Sequence, residues 1–230
     1  MMGAVMLGLN SKSSAQGQAC DLALVLAMDA SSSVNSDEYA LQIKGMASAL
    51  LDTEVTQAIL SLGGMYMAAF EWNGIRNQKM LFNWTQLNTE ADIFGLAEKL
   101  AKHQRNSEKS PTALGSALGY AQRLFPRLPT PCLRQVIDVS GDGLNNDGIT
   151  PAKVYALWDF SNITVNGLVI KGTDPLHDNI HQDVDDYYRQ QVLKGNASFL
   201  VIAENFNSFE EAMKRKLLKE ITPGAVGLLQ

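Results

Sequence analysis

"LALVLAMDASSS" occupies residues 22–33. Seven apolar residues run without interruption into an acid, an alanine and three hydroxyls. An apolar run with no alternation suits a strand covered on both faces, as in a parallel sheet. The abrupt change at Asp29 marks the carboxyl end of that strand. Asp29, Ser31 and Ser33 sit at alternate positions, so one carboxylate and two hydroxyls can face the same side of a single turn. The same residues are ordinary turn and cap formers. The pattern gains meaning only if other segments bring oxygens to the same edge.

The rest of the chain is consistent with one α/β domain of 230 residues, 46% hydrophobic and 19% charged. A formal net charge of −5 and no stripe of Lys and Arg argue against nucleic acid as a partner. No run approaches the roughly 18 apolar residues of a membrane span. Residues 1–19 read as a secretory signal peptide or a disordered leader. A short apolar run is followed by small polar residues and "GQA" (17–19), as at a cleavage site. The expected location is therefore periplasmic or secreted. The chain has two cysteines, Cys20 and Cys132, an even count that suits export.

Helical and strand patterns alternate downstream. "NSDEYALQIKGMASALLD" (35–52) repeats apolar residues at helical spacing, with Ser36 as N-cap. "GGMYMAAFEW" (63–72) and "KMLFNW" (79–84) read as strands. The short link between them is too brief for a crossover and makes the pair antiparallel. Helices follow over 89–103, capped by Thr89, and over 110–125, opened by Pro111. Then come a strand at 132–140, a helix at 150–160, a strand at 163–170, a helix at 177–193, a strand at 197–203 and a helix at 208–221. This order predicts a doubly wound sheet with helices on both faces. The domain is expected over 20–222, with a tail at 223–230. Ligands of such sheets bind at the carboxyl ends of the strands.

Two further segments offer oxygens at that edge. Thr112 in "SPT" (110–112) precedes a helix, and Asp142 in "SGDGLNNDG" (140–148) leaves the end of a strand between two glycines. Hard divalent cations take oxygen ligands, and Mg²⁺ takes six in near-octahedral array, some of them water. "DASSS", "SPTALGSAL" and "SGDGLNND", in that order, resemble the von Willebrand factor type A family with its metal-ion-dependent adhesion site. "FEWNG", "VIDVSGDGLNNDG" and "VNGLVI" look more narrowly like exported bacterial proteins built from one such domain. The resemblance covers the chain from about Asp21 to Ile221.

It implies a six-stranded Rossmann-like sheet of order 3-2-1-4-5-6 with the third strand antiparallel. It also implies Ser31, Ser33 and Thr112 as direct ligands of Mg²⁺, with Mn²⁺ or Ca²⁺ as alternatives. Asp29 and Asp142 would stand close by, often through water, and an Asp or Glu of a protein partner would complete the shell. "SPT" stands where many members have a glycine pair before the Thr, and "SGD" where many have Thr-Asp. If strands one and four are neighbours, Cys20, nine residues before Asp29, faces Cys132, ten before Asp142. Parallel neighbours lie about 4.8 Å apart, within disulfide range, so a Cys20–Cys132 disulfide is expected.

Other signals carry less. His177 and His181 lie four apart but lack a third ligand, as His103 is the one other histidine. "GLNNDGIT" fails as a calcium loop because Val154 falls where Glu is required. Asn145, Asn146 and Asp147 are expected to order the loop or touch a partner. Asp138, an acid within an apolar strand, is read as a partner behind the site or a residue at the sheet's rim. Trp72 and Trp84 are read as packing on the sheet, and the lysines of "MKRKLLKE" (213–220) as a solvated face. The expected function is metal-dependent protein binding rather than catalysis. The rival is a hydrolase using the same ion to activate water, for which no general base is evident.

Overall fold

β1 (Cys20–Asp29) is buried along almost its whole length because both of its faces are covered. Leu22, Leu24, Leu26 and Met28 point into one apolar layer, and Ala23, Val25 and Ala27 into the other. The structure, a computed structural model, describes residues 20–105, 110–171 and 184–222. The expected leader at 1–19, the tail at 223–230, His177 and His181 lie outside the described residues.

The chain continues through α1 (Ser36–Leu51), α2 (Thr53–Ser61), β2 (Met65–Asn73), β3 (Asn77–Gln86), α3 (Glu90–Ala101), α4 (Leu114–Gln122), β4 (Cys132–Gly141), α5 (Pro151–Leu157), β5 (Ile163–Ile170), β6 (Leu200–Ala203) and α6 (Phe209–Ile221). The six strands form one sheet of order β3-β2-β1-β4-β5-β6. All pairs are parallel except β2 with β3. Residues of α1, α2, α3 and α6 pack on one face; α4, α5 and the π-helical turn Tyr188–Val192 pack on the other. Cys20 and Cys132 are register partners on β1 and β4 and form a disulfide with Cα atoms 4.4 Å apart. Trp72 is wholly buried in β2, while Trp84 tilts against Phe125 and donates to Leu124 O. Among the described residues, no helix is long and apolar enough to cross a membrane.

Several expectations need correction, each for a local reason. The N-cap of α1 is Asn35 rather than Ser36: its side chain accepts from the amides of Asp37 and Glu38, and Glu38 closes a capping box. Asp52 ends α1 and caps α2, a helix not expected from sequence. α4 begins at Leu114 rather than at Pro111. The carbonyls of Ser110, Pro111 and Thr112 accept from Ser32 N, Gly74 N and Asn146 N, so they are turned away from any helix ladder. β6 starts at Leu200, since Phe199 N donates to the Asn166 side chain. β3 extends beyond 79–84 at both ends.

The largest departure concerns charge. Lys216, read as solvated, is fully buried, with Nζ 3.0 Å from Asp138 Oδ1 and 2.7 Å from Glu220 Oε1. Asp138 is therefore neither at the rim nor behind the site. It anchors α6 to the middle of β4. Burial pushes its carboxyl up to about 7, against the pull of Lys216 and with help from Glu220.

Candidate metal centre

Asp29 is the last residue of β1 and is wholly buried. Its Oδ1 accepts from Ser31 N at 2.7 Å, which folds the chain into a tight turn directly after the strand. That turn sets the Ser31 and Ser33 hydroxyls 3.1 Å apart. Ser33 then donates to Asp142 Oδ1 at 2.7 Å, linking the end of β1 to the residue that follows β4. Ser31 is buried while Ser33 is exposed, so the row of oxygens runs from the sheet outward to solvent.

Thr112 reaches the same rim from the loop before α4. Its Oγ1 lies 3.7 Å from the point where a Cβ on Gly143 would stand, beside Asp142. Its loop is tied to both neighbours. Ser32 N donates to Ser110 O at 2.9 Å, and Gly74 N to Pro111 O at 2.7 Å. Asn146 Oδ1 accepts from Thr112 N at 2.8 Å, and Asn145 Oδ1 from Gly115 N at 2.9 Å. The asparagines thus order the loop, one of the two roles read for them. Thr112 and Asp142 are held to each other by the residues that follow Asp142.

Sequence reasoning missed three residues that shape this rim. Arg105 donates through Nη1 to Val34 O at 2.7 Å and through Nη2 to Ser31 O at 3.1 Å and to Ala30 O. Its planar fork straps the whole Asp29–Val34 turn. The guanidinium lies 5.6 Å from the centre of the Tyr39 ring, whose hydroxyl donates to the buried Glu71. Asn73 Nδ2 also donates to Ala30 O, at 3.0 Å. Nothing in "KHQRNSEK" (102–109) marked Arg105 out; its contacts are made across the fold. Tyr188, the third, lies behind the rim.

The electrostatics are those of two carboxyls held together. Burial raises the Asp29 carboxyl to about 8, and the charge of Asp142 adds to the rise. Hydrogen bonds from Ser31 and the approach of the Asp142 amide offset only part of it. Asp29 Oδ2 is buried with no hydrogen bond of ordinary geometry. The donor set is all oxygen, two carboxyls and three hydroxyls, which suits a hard divalent cation. A cation here would relieve both the repulsion and the unpartnered oxygen.

The family model described as "Protein of unknown function (DUF1194)" matches residues 19–225. The chain belongs to this family. Among solved structures, DUF1194 as represented by this chain is similar to the pilus adhesin SpaC from Lactobacillus rhamnosus GG in an open conformation. That match has a TM-score of 0.61 at 10% identity, over 90% of this chain and 31% of that one. It is similar to proximal thread matrix protein 1 from the mussel byssus, described with a zinc-occupied MIDAS motif. There the TM-score is 0.59 at 18% identity, over 88% and 46% of the two chains. It is also similar to a von Willebrand factor type A protein from Catenulispora acidiphila, with a TM-score of 0.57 at 15% identity, over 88% and 43%. The fold is the von Willebrand factor type A fold. The chain spans about a third to a half of the length of these proteins. No curated protein matches it.

Proposed function

We propose that this chain is an exported, divalent-metal-dependent protein-binding module rather than an enzyme. The observation that carries the reading is the continuous row of oxygens at the rim. Ser31 and Ser33 lie 3.1 Å apart, and Ser33 lies 2.7 Å from Asp142, with the unpartnered Asp29 Oδ2 behind them. Ser31, Ser33 and Thr112 offer neutral oxygens as direct ligands, while Asp29 and Asp142 supply charge nearby and hold water. A bound Mg²⁺ surrounded mainly by neutral hydroxyls keeps an electrophilic position for an outside carboxylate. Asp142 and Ser33 stand at the solvent side of the row, where an Asp or Glu of a partner protein would arrive.

The similar proteins support the same reading. One is described as a pilus adhesin and another with a zinc-occupied MIDAS motif. The Cys20–Cys132 disulfide supports export, since such bonds persist in oxidising compartments.

Calorimetry with Mg²⁺ and Mn²⁺ tests the metal, using wild type and Asp142→Ala. Uptake by wild type that Asp142→Ala abolishes is the expected result; no uptake, or equal uptake by both, overturns the reading. Capture of a partner from the extracytoplasmic fraction in Mg²⁺, but not in EDTA, tests the binding role.

A further inference from the structure

Two polar atoms behind the rim are left without partners in the contacts above. Tyr188 is wholly buried, and no hydrogen bond reaches its hydroxyl. Asp29 Oδ2 is also buried and has no hydrogen bond of ordinary geometry, although the Asp142 amide approaches the carboxyl. They come from unrelated elements, the π-helical turn Tyr188–Val192 and the end of β1. Both converge on Gly141. A Cβ at that glycine would stand 2.7 Å from the Tyr188 hydroxyl oxygen and 2.8 Å from Asp29 Oδ2. Gly141, immediately before Asp142 in the chain, lets both groups press against the same stretch of backbone, where any side chain would collide with them.

A buried hydroxyl with no partner costs about 1–3 kcal/mol, and a phenylalanine would fill the same volume without that cost. A phenol and a carboxyl oxygen brought to the same glycine are a donor and an acceptor with no better hydrogen bond in reach. A phenol is protonated at neutral pH and so can donate.

We propose that Tyr188 is a positioning residue of the metal centre, donating its hydroxyl to Asp29 Oδ2 beside Gly141. Ser31 N already fixes Oδ1, so the second bond locks the carboxylate plane and aims it at the row of hydroxyls. Partners of this kind behind a metal site change metal affinity by about 10–100-fold when removed. The effect on affinity rests on the metal-binding reading above; the hydrogen bond does not.

Mn²⁺ titrations of wild type, Tyr188→Phe and Tyr155→Phe test the role. Tyr155 supplies the control: its hydroxyl bonds Val192 O of the same turn. Tyr188→Phe is expected to weaken Mn²⁺ uptake about 10–100-fold, and Tyr155→Phe to leave it unchanged. In EDTA, Tyr188→Phe is expected to lower the melting temperature, and an Asp29→Ala background is expected to abolish that shift. Uptake by Tyr188→Phe equal to wild type overturns the proposal. So does melting of Tyr188→Phe at or above wild type in EDTA, because an idle hydroxyl is better replaced by a ring hydrogen. If wild type takes up no Mn²⁺, the metal reading falls and the positioning role with it. A drop in EDTA would then establish the hydrogen bond alone.

Discussion

Ser33 Oγ and Asp142 Oδ1 meet at 2.7 Å although 109 positions separate them in the chain. The contact joins the turn after β1 to the loop after β4, and it sits beside the second carboxyl that raises Asp29. On the proposed metal reading, removing Asp142 is therefore expected to matter far more with the cation than without it. In EDTA, Asp142→Ala is expected to melt close to wild type, because an exposed hydrogen bond is lost but a repulsion is relieved. In Mg²⁺ at about a hundred times the dissociation constant, wild type is expected to gain about 2.7 kcal/mol and the variant to gain nothing. Paired thermal melts in Mg²⁺ and EDTA read the difference.

Asp138 gives the metal-free protein a pH dependence of predictable sign. Its folded carboxyl titrates near 7 through burial, whereas the unfolded carboxyl ionises near 3.8. The native state therefore holds the proton more tightly. This contribution to stability is complete below the unfolded value and is lost as pH rises through about 7. Asp138→Asn imitates the protonated side chain and keeps the Lys216–Glu220 pair. Urea unfolding from pH 5 to 7 should show wild type losing ground to the variant by at most about 1.4 kcal/mol per pH unit.

Arg105 holds three carbonyls of the turn that presents Ser31 and Ser33. Arg105→Met keeps much of the aliphatic stem and removes the fork. It is expected to cost about 1–3 kcal/mol in stability, and to speed amide exchange across residues 30–34. Arg105→Lys should rescue little, since one ammonium cannot span the carbonyls of Ala30, Ser31 and Val34 together. Exchange rates equal to wild type in both variants would show that the turn does not depend on the strap.

Two helical glycines make a paired test of packing. A Cβ on Gly115 would stand 2.0 Å from Ile149 O, which is backbone and cannot swing aside. Gly115→Ala must therefore push α4 away from the loop that follows Asp142, at an expected cost of about 1–3 kcal/mol. Gly95, inside α3, has nothing within 4 Å of such a Cβ. Gly95→Ala is expected to stabilise by up to about 1 kcal/mol. Chemical denaturation of both variants should give shifts of opposite sign.

The disulfide closes a loop with a sequence separation of 112 residues. Replacing both cysteines by alanine is expected to cost about 2–5 kcal/mol, measured by denaturation of wild type and the double variant under oxidising conditions. Reductant should move wild type toward the variant and leave the variant where it is.

Much of the fold was legible because its signals are local and strong. "LALVLAM" has no polar residue to place on a wet face, so a doubly covered strand is what it can form. The short link between β2 and β3 excluded a crossover. Asp29, Ser31, Ser33, Thr112 and Asp142 were singled out by their places at strand ends and before a helix together with the family resemblance they carry, and the structure brings their segments to one rim. What escaped was non-local or double-duty. α2 escaped because Asp52 serves two helices at once, which blurs the boundary between them. Lys216 looked solvated because its partner Asp138 lies on a distant strand. Arg105 and Tyr188 carry no motif; their meaning comes from the carbonyls and carboxyl they face.

The Cys20–Cys132 bond and the Ser33–Asp142 contact grip the same two strands at opposite ends. β1 and β4 thus behave like the arms of a caliper whose pivot is covalent. The gap between the two acids is fixed from below before any cation arrives. On the proposed reading, little ordering would remain for a cation to impose, and a partner would meet a rim already shaped.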